Sequence, residues 1–314
     1  MIKSSAPLIS ILMPIYNQEA YILPTIESIV SQTYRHLEII ISDDCSADKT
    51  YDLCVAYKWP SDFKVFLNRH AINLGVAQNS AYCMRLATGK YILPFSGDDL
   101  MEPNMVQTLY DTLLRSPNTK VVFARSLASQ SFSRSVFKLN RINQNAIIGG
   151  YVSINAVDFL HSFISNLNNQ VFTMGALFDW QTDSQVPGDI SAGSLSDFKF
   201  IVDYLSKNEF ARVSFLDSPL FLYTIRQGGI SSTGYLHEIP ELLKRFEDEC
   251  PHLSMNYDQA RGRLLSTILF LAKSQKFPLS YLLRTATSTF DNLPLFRSAR
   301  VVKLAVKTIL RSPD

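Results

Sequence analysis

Apolar residues run almost unbroken from Leu8 to Ile15, which predicts a strand buried on both faces. Within residues 20–33, Ile22, Ile26, Ile29 and Val30 recur at helical spacing. Leu37–Ser42 (LEIIIS) reads as a second buried strand, and Lys64–Asn68 (KVFLN) as a third. Between them, Asp48–Tyr57 is predicted helical, with Leu53 and Val55 turned inward. A helix is predicted over Gly75–Thr88, stopped by Gly89. A fourth strand follows over Lys90–Phe95, a helix over Met105–Leu114 and a fifth strand over Lys120–Ala124. This alternation predicts an α/β fold: an open, mostly parallel, twisted sheet with flanking helices. In such sheets ligands sit beyond the carboxyl ends of the strands. After Ser126 the pattern weakens. Residues 127–150 are polar and irregular, 156–167 and 196–207 read as helices, Phe221–Arg226 as a strand, and the chain from Ile239 onward as several helices. The expected division is an α/β region over 1–125, a second region over 126–235 and a helical, basic extension over 236–314.

Composition changes the picture little. The chain has 314 residues, 46% hydrophobic and 18% charged, and a formal net charge of +2, so nucleic acid is not an expected partner. The balance hides an asymmetry: residues 261–314 carry a net +8, and residues 1–260 a net −6. The final helix RSARVVKLAVKTILR sets Arg300, Lys303, Lys307 and Arg311 on one face. Two readings stay open, a peripheral contact with an anionic membrane surface and a core-packing helix with a solvated basic face. Four scattered cysteines (Cys45, Cys54, Cys83, Cys250) show no ligand spacing and suit a reduced compartment. The N-terminus lacks a cleavage-type signal, and no window is apolar enough to span a membrane. The expected location is cytoplasmic.

Two acidic pairs fall at strand ends: Asp43-Asp44 after the second strand, and Asp98-Asp99 after the fourth, in YILPFSGDDLMEP. Crowded carboxylates repel unless a cation or hydrogen-bond donors neutralise them. A hard divalent ion, Mn2+ or Mg2+, suits one or two carboxylates with phosphate oxygens completing its shell. The alternative is that each pair caps the helix that follows.

The stretches ISILMPIYNQEAYILPTIESIVSQTY, EIIISDDCSADKT and NLGVAQNSAYCMRLATGKYILPFSGDDLMEP resemble, in order and spacing, the nucleotide-sugar region of family 2 glycosyltransferases of the bacterial, non-processive type, which have the GT-A fold. The resemblance covers about residues 8–125. It implies that Pro14, Ile15, Tyr16 and Asn17 pack on a donor nucleotide, with Glu19 just beyond, and that Asp43 and Asp44 meet its base and ribose. Asn73, Gly75 and Asn79 would line the donor site. Asp98 and Asp99 match the metal motif, with Asp99 the more direct ligand. Two positions depart from the family pattern: Ser96 stands where many relatives carry Asp, and Cys45 replaces a usual Gly or Asn, read as a small filler. The family's general base matches Asp197 in GSLSDFKFIVDYL, with Asp189 as competitor, and Arg226 in FLYTIRQGGISS matches a residue reaching the diphosphate. The implied activity is metal-dependent, inverting transfer of one sugar from a UDP- or dTDP-sugar to a saccharide or lipid-linked acceptor, in bacterial surface polysaccharide assembly. The alternatives are a sugar-phosphate nucleotidyltransferase and an inactive nucleotide-sugar-binding relative.

Overall fold

The predicted alternation of strands and helices is present in the structure, a computed structural model that describes residues 6–128, 151–166, 173–180, 196–207, 210–224 and 239–249. The chain divides into two units: residues 1–156 with 170–227, and residues 157–169 with 228–314.

The first unit begins with β1 (Ile9–Ile15), α1 (Ile22–Val30), β2 (Leu37–Asp43), α2 (Thr50–Ala56), β3 (Lys64–Arg69), α3 (Val76–Leu86) and β4 (Tyr91–Pro94). β1 is the hub. It pairs in parallel with β2, Ile9 opposite Leu37, and on its other edge with β4, Ile9 opposite Tyr91. β2 pairs in parallel with β3. The strands β1, β2 and β4 are buried along almost their whole length, which is why their sequences are apolar runs rather than alternations. β3 lies at the edge and alternates between exposed and half-buried residues. Ile22, Ile26 and Ile29 of α1 are buried in one core with Ile9, Ile11, Met13 and Ile39.

Beyond β4 the sheet turns mixed. The chain continues through β5 (Leu100–Met101), α4 (Met105–Arg115), β6 (Thr119–Ala128) and β7 (Tyr151–Asn155). It resumes with β8 (Ala176–Asp179), α6 (Ser196–Ser206) and β9 (Arg212–Tyr223). Among the described residues the sheet order is β3-β2-β1-β4-β8-β6-β9-β5, with β7 paired to β9. β8 runs antiparallel to β4 and β6, whereas β6 and β9 are parallel over a long register. The second unit holds the body of α5 (Ala156–Asn166), where Phe159 and Phe163 stack 5.2 Å apart, and α7 (Ile239–Glu249). On α7, Ile239, Leu243 and Phe246 are buried at helical spacing.

One inward assignment is corrected. Val55 of α2 is 55% exposed, and the buried positions are Thr50 and Cys54. A turn of 100° per residue puts Val55 beyond the stripe that Thr50 and Cys54 define. Sequence periodicity also missed β5, β7 and β8, which have two, five and four residues. β9 lies earlier than expected, ending at Tyr223. Among the described residues no helix is long and apolar enough to cross a membrane. Asp189, Arg226, Cys250 and the basic helix with Arg300, Lys303, Lys307 and Arg311 lie outside the described residues.

Candidate functional site

The strand order makes a switch point. From β1 the chain adds β2 and β3 on one side, then places β4 on the other. The loops leaving β1 and β4 therefore start side by side, the position where open α/β sheets bind ligands.

The loop after β1 carries Tyr16, Asn17, Gln18 and Glu19. Tyr16 is 44% exposed at the rim, while Pro14 lies within β1 opposite Ser42 of β2. Asn17 takes a left-handed conformation, φ 50°, which its short polar side chain tolerates. Five bonds tie this loop to the turn after β2. Asn17 N–H donates to Ser46 Oγ at 2.9 Å, and Ala47 N–H to Asn17 Oδ1 at 2.9 Å. Gln18 N–H donates to Thr50 Oγ1 at 2.7 Å. Glu19 N–H donates to Asp48 Oδ2 at 3.1 Å, and Lys49 N–H to Glu19 Oε2 at 3.0 Å. Asn17 and Glu19 thus brace the rim.

Both members of the first acidic pair are buried and hydrogen-bonded. Asp43 Oδ2 accepts from Ser46 N–H at 2.9 Å and lies 3.6 Å from the Arg69 guanidinium. Arg69 also donates to Ser46 O at 2.8 Å and packs over Tyr51. Asp44 Oδ1 accepts from Leu74 N–H at 2.7 Å, and its Oδ2 from Gly75 N–H at 2.9 Å. Gly75 precedes α3 with φ 85°, a conformation that suits glycine, and its N–H also meets Asn73 Oδ1 at 3.0 Å. Asn79 is buried; its Nδ2 donates to Ser42 O at 2.8 Å, and its Oδ1 lies 3.2 Å from His70 Nε2. Asp43, Asp44 and Asn79 therefore build the floor between β2, β3 and α3, with exposed Asn73 at its lip. Cys45 has φ 62°, so a Gly or Asn there would relieve strain of about 1 kcal/mol. Its Sγ faces Ala71 O at 3.6 Å.

The second pair follows β4. Asp98 and Asp99 are both buried. The Ser96 hydroxyl donates to Asp98 Oδ1, and Gln18 Nε2 approaches Ser96 Oγ at 3.5 Å. Gly97 lies directly against the neighbouring loop: a Cβ there would sit 2.4 Å from Gln18 Oε1 and 2.8 Å from Ile15 Cγ2. Asp99 is gripped from two sides. Its Oδ1 accepts from Thr224 N–H at 2.9 Å, and its carbonyl from Thr25 Oγ1 at 2.8 Å.

Asp197 sits in the first turn of α6, where a carboxylate complements the helix dipole. Burial raises its carboxyl above the ordinary Asp range, and the Thr173 hydroxyl opposes that shift. Thr173 opens the turn into β8, and Gly175 N–H in the same turn donates to Pro94 O at 2.9 Å, the last residue of β4. The Thr173 turn is thereby tied to the same end of β4 from which the loop carrying Asp98 and Asp99 emerges. α6 is anchored by Phe200 and Tyr204, whose rings lie 5.1 Å and 5.4 Å from that of Phe178.

Among the described residues no group of three or more His, Cys, Asp or Glu side chains stands ready to hold a metal ion. The loop after β4 offers two adjacent carboxylates and a hydroxyl. That hard-oxygen set fits Mg2+ or Mn2+ only if ligand oxygens complete the coordination shell. Sequence reasoning passed over Gln18, Thr25, Thr173 and Thr224. Thr25, Ser28 and Gln32 do carry a signal, polar positions at helical spacing beside the isoleucine stripe.

Residues 10–168 match the family model described as Glycosyl transferase family 2. The chain is 25% identical to the glycosyltransferase GlyG of Streptococcus pneumoniae serotype 4, over 91% of this chain and 93% of that protein. It is 29% identical to WfgD of Escherichia coli, a UDP-Glc:alpha-D-GlcNAc-diphosphoundecaprenol beta-1,3-glucosyltransferase, over 46% of this chain and 51% of that protein. The fold is similar to that of S. aureus TarS 1-349, with a TM-score of 0.69 at 16% identity, covering 97% of this chain and 90% of that one. TarS 1-349 has also been solved in complex with UDP.

Proposed function

The chain belongs to glycosyl transferase family 2, and from that premise we propose that it transfers a single sugar, with inversion, from a UDP- or dTDP-sugar to a saccharide or lipid-linked acceptor. The observation that supports the reading is that the Asp98-Asp99 loop leaves the end of β4 to which Gly175 N–H ties the Thr173 turn, the turn whose hydroxyl neighbours Asp197. The similar proteins support the substrate class: WfgD is described as using UDP-Glc and a diphosphoundecaprenol-linked saccharide, and TarS has been solved with UDP.

In this reading the base and ribose rest on the floor built by Asp43, Asp44 and Asn79, with Tyr16 and Asn73 at its edge. Asp98 and Asp99 are the residues to hold Mg2+ or Mn2+, which when bound neutralises charge on the departing diphosphate. Asp197 accepts the proton of the incoming acceptor hydroxyl. The new bond forms between that oxygen and the anomeric carbon on the face opposite the diphosphate. The old carbon–oxygen bond breaks, and its electron pair leaves with the nucleoside diphosphate. Burial makes Asp197 a stronger base than an exposed Asp, so it takes the proton more readily. Arg226 is assigned to the diphosphate. Residues 1–125 serve the nucleotide, 126–235 the acceptor. The basic helix near the C-terminus is the segment to meet an anionic membrane surface, consistent with a lipid-linked acceptor and a peripheral cytoplasmic location.

The test is a panel of UDP- and dTDP-sugars with Mn2+ and a diphospholipid-linked saccharide, reading nucleotide release and the anomeric configuration of the product. Nucleotide release with one donor and an inverted product supports the reading. A retained configuration, or no release with any donor, overturns it.

A further inference from the structure

Helix α1 has two working faces. Ile22, Ile26 and Ile29 enter the core, and beside them a polar row engages the backbone of residues 99–106. Thr25 Oγ1 donates to Asp99 O at 2.8 Å, and Met101 N–H donates to Ser28 Oγ at 3.1 Å. Just past the helix, Gln32 Nε2 donates to Glu102 O at 2.7 Å, and Val106 N–H donates to Gln32 Oε1 at 3.0 Å. On the opposite side the same segment pairs with β9, Leu100 opposite Leu222, and Glu102 N–H donates to Leu220 O at 2.9 Å. The residues carrying the candidate acids are therefore clamped between a helix and a strand.

We propose that Thr25 is a positioning residue for Asp99, a proposal that rests on reading Asp99 as the acid serving the metal and diphosphate. The Thr25 hydroxyl is fully buried and carries one proton. Its shorter contact is to Asp99 O; the other, to Tyr21 O, is 3.2 Å. Fixing the Asp99 carbonyl fixes the rotation of the Asp99–Leu100 peptide. That rotation, with the Thr224 N–H bond to Oδ1, sets the direction of the carboxylate. Removing the hydroxyl takes this donor from a buried carbonyl and loosens the hold on the Asp99–Leu100 peptide.

The test compares Thr25→Val with Thr112→Val. Thr112 is also fully buried, but its hydroxyl donates to Thr108 O within α4. Each variant is measured for its urea midpoint and for Mn2+ bound in the presence of UDP, read by electron paramagnetic resonance. Thr25→Val is expected to raise the Mn2+ half-saturation concentration by roughly tenfold, the effect of about one buried hydrogen bond. Thr25→Ser restores it, and Thr112→Val lowers the urea midpoint while leaving Mn2+ binding unchanged. A Thr25→Val titration that overlays Thr112→Val overturns the proposal. If Thr25→Val does not fold, Ser28→Ala stands in, with a smaller shift in the same direction; an unshifted curve overturns the proposal. Identical Mn2+ binding by wild type and Asp99→Asn sinks the reading of Asp99 itself, a result distinct from either outcome at Thr25.

Discussion

Thr224 donates its backbone N–H to Asp99 Oδ1 at 2.9 Å, joining residues 125 positions apart in the chain. This bond attaches the end of β9, the last strand among the described residues, to the acid loop after β4. The Thr173 turn, whose hydroxyl neighbours the candidate base Asp197, is tied to the end of β4 that this loop leaves, through Gly175 N–H to Pro94 O. The acid loop is thus built from both halves of the sheet.

Asp99→Asn follows from that bond. The variant amide oxygen keeps the Thr224 N–H partner, so the fold is retained and only the charge is lost. Mn2+-dependent donor turnover is expected to fall by about a hundredfold or more, the scale of metal-assisted charge stabilisation. The thermal midpoint should move little. Undiminished turnover would refute the assignment.

Gly97→Ala places a methyl group where Gln18 Oε1 and Ile15 Cγ2 already stand, at 2.4 and 2.8 Å. Overpacking of this kind costs about 1–3 kcal/mol. Adding Gln18→Ala removes one of the two clashes and should recover part of that loss. A urea-unfolding double-mutant cycle measures the coupling, and strictly additive effects would contradict the close approach.

Asp197→Asn should reduce the transfer rate by roughly 10²–10⁴-fold, the range for general-base removal, while UDP affinity changes little. In the wild type, activity requires the ionised carboxylate. Burial raises that group above the ordinary Asp range. The acidic limb of the kcat/KM profile therefore lies at higher pH than an unperturbed Asp would give, and activity is lost as pH falls through it. A limb at the ordinary Asp value, or equal losses in rate and binding, would remove Asp197 as the base.

Glu38 provides a stability test away from the site. Burial alone would raise its carboxyl, but bonds from Ser10, Thr88 and Lys64 outweigh it and hold the group below its ordinary value. Its Oε1 also accepts from Gly89 N–H at 3.0 Å. A depressed carboxylate contributes its stability above the unfolded-state value and loses it as pH drops through the folded-state one. Glu38→Gln should lower the midpoint at neutral pH, because an amide cannot accept from every donor gathered there. The gap to wild type should narrow below about pH 4, near the unperturbed Glu value. A gap independent of pH would rule out the ionised form as the stabilising one.

The chain's own pattern established β1, β2 and β4, because strands covered on both faces must be apolar throughout, and burial leaves that mark in the residues themselves. It also marked the acidic pairs, since a charge ending such a strand has to face a rim. Val55 went astray because two residues in a seven-residue helix do not define a face. β5 was hidden because its two residues gain their partners only when β9 folds back across the sheet. Roles within the rim were likewise decided by tertiary structure. Asp43 and Asp44 carry the same charge as Asp98 and Asp99, yet the first two are held by Ser46, Arg69, Leu74 and Gly75, while Asp98 receives Ser96 and Asp99 receives Thr25 and Thr224. Local sequence determines what chemistry a residue carries and, over a long apolar run, that it is buried. Which donor meets which acceptor depends on closing loops of 74 and 125 residues, as at Thr25 and Thr224, and no window of sequence spans that distance.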